Sequence, residues 1–402
     1  MAARGLIKLG AAFLGLALLS SMASAQEYED VDSNGNLQLR GYGSFFIEGE
    51  THEVAPPVAS NAGGGSGPGL SMINQMYVQF MLPQKQKGKK HVPIGIVHGC
   101  CLSTKSWQTT PDGRMGWDEY FVRQAFDTYM IDQVGRARSG FDATKYNMVR
   151  HGITPCEAPF PCVEQPNILI ATDQFAWNIF RWGTTACTVS PCSETTTPWP
   201  DLKFPIETIG VGPDSNLQFY NMVIPDLSGT LSGAPSPANP AGFYNSPSQM
   251  AKLATKVGGM ALMGHSQSSS FPTRTALQPE SGCYPWTSAN ACKVKAIIQI
   301  ETGCFGNLTQ DQIETLSNIP ILIIDGDHYA TPRPVPACVT MMQQINGAGG
   351  DMSFAHLPAL TPDSLYPGSP GPMPGIEHMM MIGTQNLEVA DLIIGWLDSR
   401  GM

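Results

Sequence analysis

A serine between polar neighbours at the end of an apolar run has the setting of a nucleophile, and "GGMALMGHSQSSSFP" (258–272) contains one. Gly264-His265-Ser266-Gln267-Ser268 nearly matches G-x-S-x-G, the sharp strand-to-helix turn that exposes a reactive hydroxyl, although the last glycine is missing. Such a hydroxyl is a poor nucleophile until a base takes its proton. Of the eight histidines, only His328, His356 and His378 follow Ser266. His356 falls within an expected strand, where a satisfied structural histidine is the ordinary reading. His328 adjoins Asp327, where an acid is expected. His378 follows the flexible "PGSPGPMPGIE" and precedes the last helix. A loop histidine is usually only solvated, but position and order make His378 the candidate base.

The base needs a carboxylate to fix its tautomer. The strand expected over 319–327 runs into Gly326-Asp327-His328-Tyr329, so tyrosine stands where a G-x-x-D pattern would place an aspartate. Asp327, or Asp325, would serve only with altered geometry. Glu301, at the end of "KAIIQIE", would in isolation read as a surface carboxylate. Its longer side chain, coming from the neighbouring strand end, reaches the same imidazole. Glu301 is therefore preferred and Asp327 kept as the alternative acid. Two backbone N–H groups must also meet the developing oxyanion, each contributing about 2.7–4 kcal/mol. One belongs to Gln267, after the nucleophile. The other belongs to the loop "HGCCLS" (98–103), after the first expected parallel strand.

The elements that must position these residues alternate between strand and helix. Apolar patterns predict strands over 37–50, 70–83, 92–99, 127–135, 259–264, 293–301, 319–327 and 352–360. Helices are expected over 117–126, 173–182, 246–258, 268–277, 337–346 and 385–400. This order implies an α/β fold with a mostly parallel sheet flanked by helices. Between 140 and 245 the periodicity fails and Pro, Thr, Trp and Cys accumulate, which suggests a long cap or lid insertion. The expected organisation is thus a leader over 1–25, a first part of the main domain over 26–139, the cap over 140–245 and the remainder over 246–402.

The leader reading rests on Arg4 and Lys8, an apolar run over 9–19, and Ala23-Ser24-Ala25. Together these form a signal peptide cut before Gln26, with no membrane anchor left after cleavage and a periplasmic or secreted product. A net charge of −10 over 402 residues argues against nucleic acid as a partner. The ten cysteines suggest five sequential pairs in an oxidising compartment: Cys100/Cys101, Cys156/Cys162, Cys187/Cys192, Cys283/Cys292 and Cys304/Cys338. A zinc site is discounted because no C-x-x-C pair or H-E-x-x-H occurs. No metal and no other cofactor is implied, and the sequence is compatible with a homodimer.

"GSFFIEGE", "HGCCLS", "TTPDGRMGWDEYF", "DQVGRARSG", "GHSQS", "IIQIETG" and "EHMMMIGTQNLEVADLIIGWL" together resemble the secreted bacterial α/β-hydrolases typified by esterase 713. The resemblance runs from about 40 to 400 and is patchy in the cap. It implies an α/β-hydrolase fold and a serine esterase acting through an acyl-enzyme. It also implies a triad on Ser266, Glu301 and His378, and oxyanion donors at Cys100/Cys101 and Gln267. The paired cysteines after His-Gly are its specific signal, and the vicinal Cys100–Cys101 bond leans on it. Lactones, aromatic esters and polyesters all fit such a site, as would amides. A non-catalytic binding protein is the other class, although it would normally lose a triad member. Trp107 and Met379 to Met381 would either line an apolar acyl pocket or pack the core.

Overall fold

Strands buried on both faces read as unbroken apolar runs, and four such runs form the centre of this molecule. The computed structural model describes residues 36–58, 67–85, 91–153, 168–209, 218–226, 246–287, 291–301 and 303–402. The first elements are β1 (Leu39–Ile47), β2 (Glu50–Val54), β3 (Gly69–Ile73), β4 (Met76–Pro83), β5 (Ile94–Val97), α1 (Trp117–Arg123) and β6 (Thr128–Ile131). The described parts of 140–245 carry α2 (Thr144–Arg150), α3 (Asp173–Ile179), α4 (Cys192–Thr195) and α5 (Gln218–Asn221). Then follow α6 (Ser246–Val257), β7 (Met260–His265), α7 (Phe271–Ala276), β8 (Val294–Ile300) and α8 (Gln310–Leu316). The chain ends with β9 (Ile321–Asp325), α9 (Pro336–Gly347), β10 (Met352–His356) and α10 (Asn386–Asp398).

Eight strands make one sheet in the order β1-β4-β6-β5-β7-β8-β9-β10. It is parallel from β6 to β10, while β4 runs antiparallel to both β1 and β6. Alternation within a strand sends neighbours to opposite faces. In β9, Ile321 and Ile323 belong to the same buried cluster as Leu253 of α6 and Met341 of α9, whereas Leu322 and Ile324 belong to the cluster that holds Phe121 of α1 and Trp396 of α10. Each such side chain, fully buried, contributes about 1.5–3 kcal/mol. Among the described residues, no helix is long and apolar enough to cross a membrane.

Two expected strands are each divided. The run over 37–50 breaks at Glu48 and Gly49, both at positive φ (36° and 111°), and the run over 70–83 breaks at Asn74 (φ 58°). The pieces beyond those breaks, β2 and β3, pair with each other as a separate two-stranded ribbon. The helix expected over 268–277 is shorter, because Ser266–Ser268 forms a 3₁₀ turn before Pro272 enters the first turn of α7. Helix α8 went unread in the sequence, although Thr309 and Gln312 form a reciprocal capping box at its start.

Three disulfides join Cys187–Cys192, Cys283–Cys292 and Cys304–Cys338. Cys156 and Cys162 lie outside the described residues. Cys304–Cys338 spans 34 positions and fastens the loop after β8 to α9. The chain-entropy relation assigns a loop of that length about 4 kcal/mol. Replacing both cysteines by alanine is expected to lower stability by about 2–4 kcal/mol in urea denaturation. A loss no larger than that from removing Cys187–Cys192, which spans 5 positions, would contradict the entropic account.

Candidate active site

Ser266 leaves β7 with φ +55°, a left-handed conformation that a non-glycine residue seldom adopts. This is the sharp elbow the motif suggested. Its flanks are tight: a Cβ on Gly264 would lie 2.2 Å from the Ser268 carbonyl oxygen, and one on Gly99 would lie 3.0 Å from Cβ of Ser266. The loop after β5 therefore presses against the elbow. Ser268 Oγ donates to the Val97 carbonyl (3.1 Å) and joins the two strand ends. Ser266 itself is half-buried.

The register of β7 against β8 pairs His265 with Ile300, so Ser266 and Glu301 leave the sheet side by side. Their location at the carboxyl ends of parallel strands is the usual place for a site in such sheets. Glu301 also turns at positive φ (60°), and its N–H donates to the Ile324 carbonyl (2.9 Å). Its carboxylate is buried and meets four donors. Nδ1 of His378 lies 2.9 Å from Oε2, Nη2 of Arg181 lies 2.9 Å from Oε2, the Gly326 N–H lies 2.8 Å from Oε1, and the Tyr329 hydroxyl donates to Oε2. Burial alone would raise the acid's pKa. Arg181 and His378 more than offset it and hold Glu301 well below the usual carboxylate range.

His378 follows the long loop before α10, and its Nδ1–H points at Glu301. Burial lowers its pKa, with Glu301 pulling the other way. Its Nε2 is buried and makes no hydrogen bond among the described residues. Neutral His265 donates Nε2–H to the His378 backbone carbonyl (2.9 Å), with burial holding its pKa near 3. The residue before the candidate nucleophile thus braces the candidate base. Phe180 stacks on the other side of the His378 ring, with centroids 5.0 Å apart.

Asp327, the alternative acid, points elsewhere. Its carboxylate accepts the N–H groups of Gly375 (2.9 Å) and His328 (2.6 Å), which fixes the loop leading to His378. Asp325 pairs with Arg333 (2.5 Å). His328 stacks on Trp199 and stands 3.3 Å from Asp201, while His356 closes β10.

Sγ of Cys100 and Sγ of Cys101 stand 2.8 Å apart, longer than a disulfide bond and shorter than a contact between unbonded sulfurs, and their vicinal pairing stays a proposal. The candidate oxyanion loop departs from expectation in one respect. That departure concerns Cys101, whose N–H donates to Oδ2 of Asp226 (2.9 Å), leaving Cys100 as the donor this loop has to offer. Arg136 ties both halves of the hole together. It reaches Oε1 of Gln267 (2.6 Å) and pairs with Asp226 (2.5 Å), both ends of that pair being buried.

Trp107 and Met379 to Met381 are completely buried in the core cluster. Trp107 packs on Trp117 and His265, so these four residues act as core support. The residues missed in the sequence are His265, Arg181 and Tyr329. His265 sits inside the motif itself, and Tyr329 occupies the noted aspartate slot. Arg181 arrives from a segment without periodicity.

No family model matches the chain. It is 23% identical over 366 residues to the probable secreted lipase phiG of Fungal sp. (strain ATCC 74256), covering 81% of this chain and 86% of the lipase. It is 33% identical to a novel bacterial esterase whose structure was solved at atomic resolution, covering 90% of this chain and 97% of the esterase, with a TM-score of 0.69. The chain therefore belongs to the family of that bacterial esterase, the esterase 713-like α/β-hydrolases, and is a carboxylic ester hydrolase.

Proposed function

We propose that the protein is an exported serine esterase working through Ser266, His378 and Glu301. His378 Nε2 takes the hydroxyl proton as Ser266 Oγ attacks the ester carbonyl. The N–H groups of Gln267 and Cys100 receive the oxyanion. His378 then protonates the leaving alcohol, and water repeats both steps on the acyl-enzyme. Glu301 holds the proton on Nδ1 throughout, so that Nε2 stays the acceptor.

The observation that carries this reading is the buried Glu301–His378 pair at 2.9 Å, leaving the sheet beside the strained Ser266 turn. Export is supported by three disulfides, by the expected leader, and by a relative named as a secreted lipase. Segment 140–245 is proposed as the cap, because Phe180 and Arg181 reach the acid–base pair from it. Labelling with a fluorophosphonate, followed by peptide mapping, is the direct test. Modification at any serine other than Ser266 overturns the triad. A panel of matched esters and amides of graded chain length then separates esterase, lipase-like and amidase preferences.

A pH dependence follows. His378 must be neutral to accept a proton, and burial lowers its pKa from the ordinary value near 6.5. The acid limb of kcat/KM, where activity rises as His378 deprotonates, is expected to have its midpoint below about 6.5. A midpoint at or above that value in a series of buffered initial rates would contradict the environment described for this imidazole.

A further inference from the structure

Arg181 is the one cation that touches the acid–base pair among the described residues, and it comes from outside the main sheet domain. It lies two residues beyond α3, at φ +63°. Its platform is a group of large aromatic side chains. Trp182 packs on Trp177, Phe204 and Phe219 with centroids 4.2–6.2 Å away, and the Trp182 N–H is bonded to the Trp177 carbonyl (3.1 Å). From there the guanidinium crosses to the sheet domain. Nη2 reaches both oxygens of Glu301 (2.9 and 3.1 Å), and Nε donates to the Asp327 carbonyl (2.7 Å). Nη1 lies 3.5 Å from His378 Nδ1, and the plane stacks 3.8 Å above the Tyr329 ring.

We propose that Arg181 is a positioning residue that sets the proton affinity of His378 by partly neutralising Glu301, so that the cap segment tunes the pH range of the chemical step. The inference rests on the proposed triad. A bare carboxylate 2.9 Å from Nδ1 favours the imidazolium and would hold His378 protonated to higher pH. A guanidinium bound to that carboxylate opposes this pull and also repels the imidazolium directly. The direction agrees with the lowered pKa of His378, in which burial acts first and Arg181 adds to it.

The other titratable groups around this imidazole leave room for the effect. His265, against the His378 backbone, stays neutral because burial holds its pKa near 3. Glu377, the preceding residue, is lifted to about 8 by burial and is mostly neutral across the acid limb. Burial and Glu301 keep Tyr329 protonated. Asp327 faces Gly375 and His328.

The test compares Arg181→Gln with Arg181→Lys. Gln keeps a donor toward Glu301 and loses the charge; Lys keeps the charge. Kinetics of a soluble aryl ester across the acid limb give the readout, with near-ultraviolet circular dichroism confirming the fold. Arg181→Gln is expected to move the midpoint of kcat/KM upward by about 1 pH unit, while Arg181→Lys stays near the parent. Should Arg181→Gln not fold, Arg181→Met takes its place as the neutral variant. A uniform loss of rate with an unmoved midpoint means a structural tether only and overturns the inference, as does an equal shift in the neutral and Lys variants. Failure of the triad reading registers separately, as fluorophosphonate labelling that survives in Ser266→Ala.

Discussion

Ser266→Ala is expected to lower kcat by about 10⁶-fold, the magnitude seen when the nucleophile of a triad is removed. The reason is local. The neighbouring hydroxyls of the turn are committed elsewhere, because Ser268 already donates to the Val97 and His265 carbonyls and Ser269 is buried. The fold should survive. Ser266 is half-buried, its side chain makes no hydrogen bond on which packing depends, and the change in stability should stay within about 0.5 kcal/mol. Steady-state hydrolysis and a urea melt of the same sample decide the matter. A loss of activity that tracks a loss of structure would remove the support for Ser266 as nucleophile.

Glu301→Gln is expected to lower kcat by about 10⁴-fold. Its amide would offer an N–H to Nδ1 of His378, favouring the tautomer that carries its proton on Nε2, the wrong nitrogen for a base. Here, unlike at Ser266, stability should suffer as well. Glu301 is the buried counter-charge of Arg181, and breaking a buried pair by removing one partner costs about 3–5 kcal/mol. Asp327→Asn is the contrast. Asp327 holds the N–H groups of Gly375 and His328 and stands 3.8 Å from the His328 ring, so its loss loosens the loop before His378 and should lower kcat by less than about tenfold. If Asp327→Asn proved the more damaging of the two, the acid would belong after β9 and the assignment of Glu301 would fall.

The frame of this site was readable because it is made by short-range rules. Apolar runs too unbroken for a half-exposed sheet gave β5, β7, β8 and β9, and their order placed Ser266 and Glu301 at the same sheet edge. Glu301 was singled out as the candidate acid for a negative reason, Tyr329 standing in the aspartate slot. What stayed hidden depends on single backbone angles and long-range contacts. Asn74 and Glu48 turn the chain out of the main sheet through positive φ, against the apolar pattern of their neighbours. Arg181 meets Glu301 across 120 positions, from a stretch where tryptophans and prolines erase periodicity. The engagement of the Cys101 N–H by Asp226 spans 125 positions, and no local pattern announces it.

Tyr329 stands at the usual address for the acid, yet its hydroxyl donates to a carboxylate anchored on the next strand. Side chains at 301 and 329 therefore converge on one point beside Nδ1 of His378. The two strand ends are thus coupled at the partner of the imidazole, so that a change at either one is felt at His378.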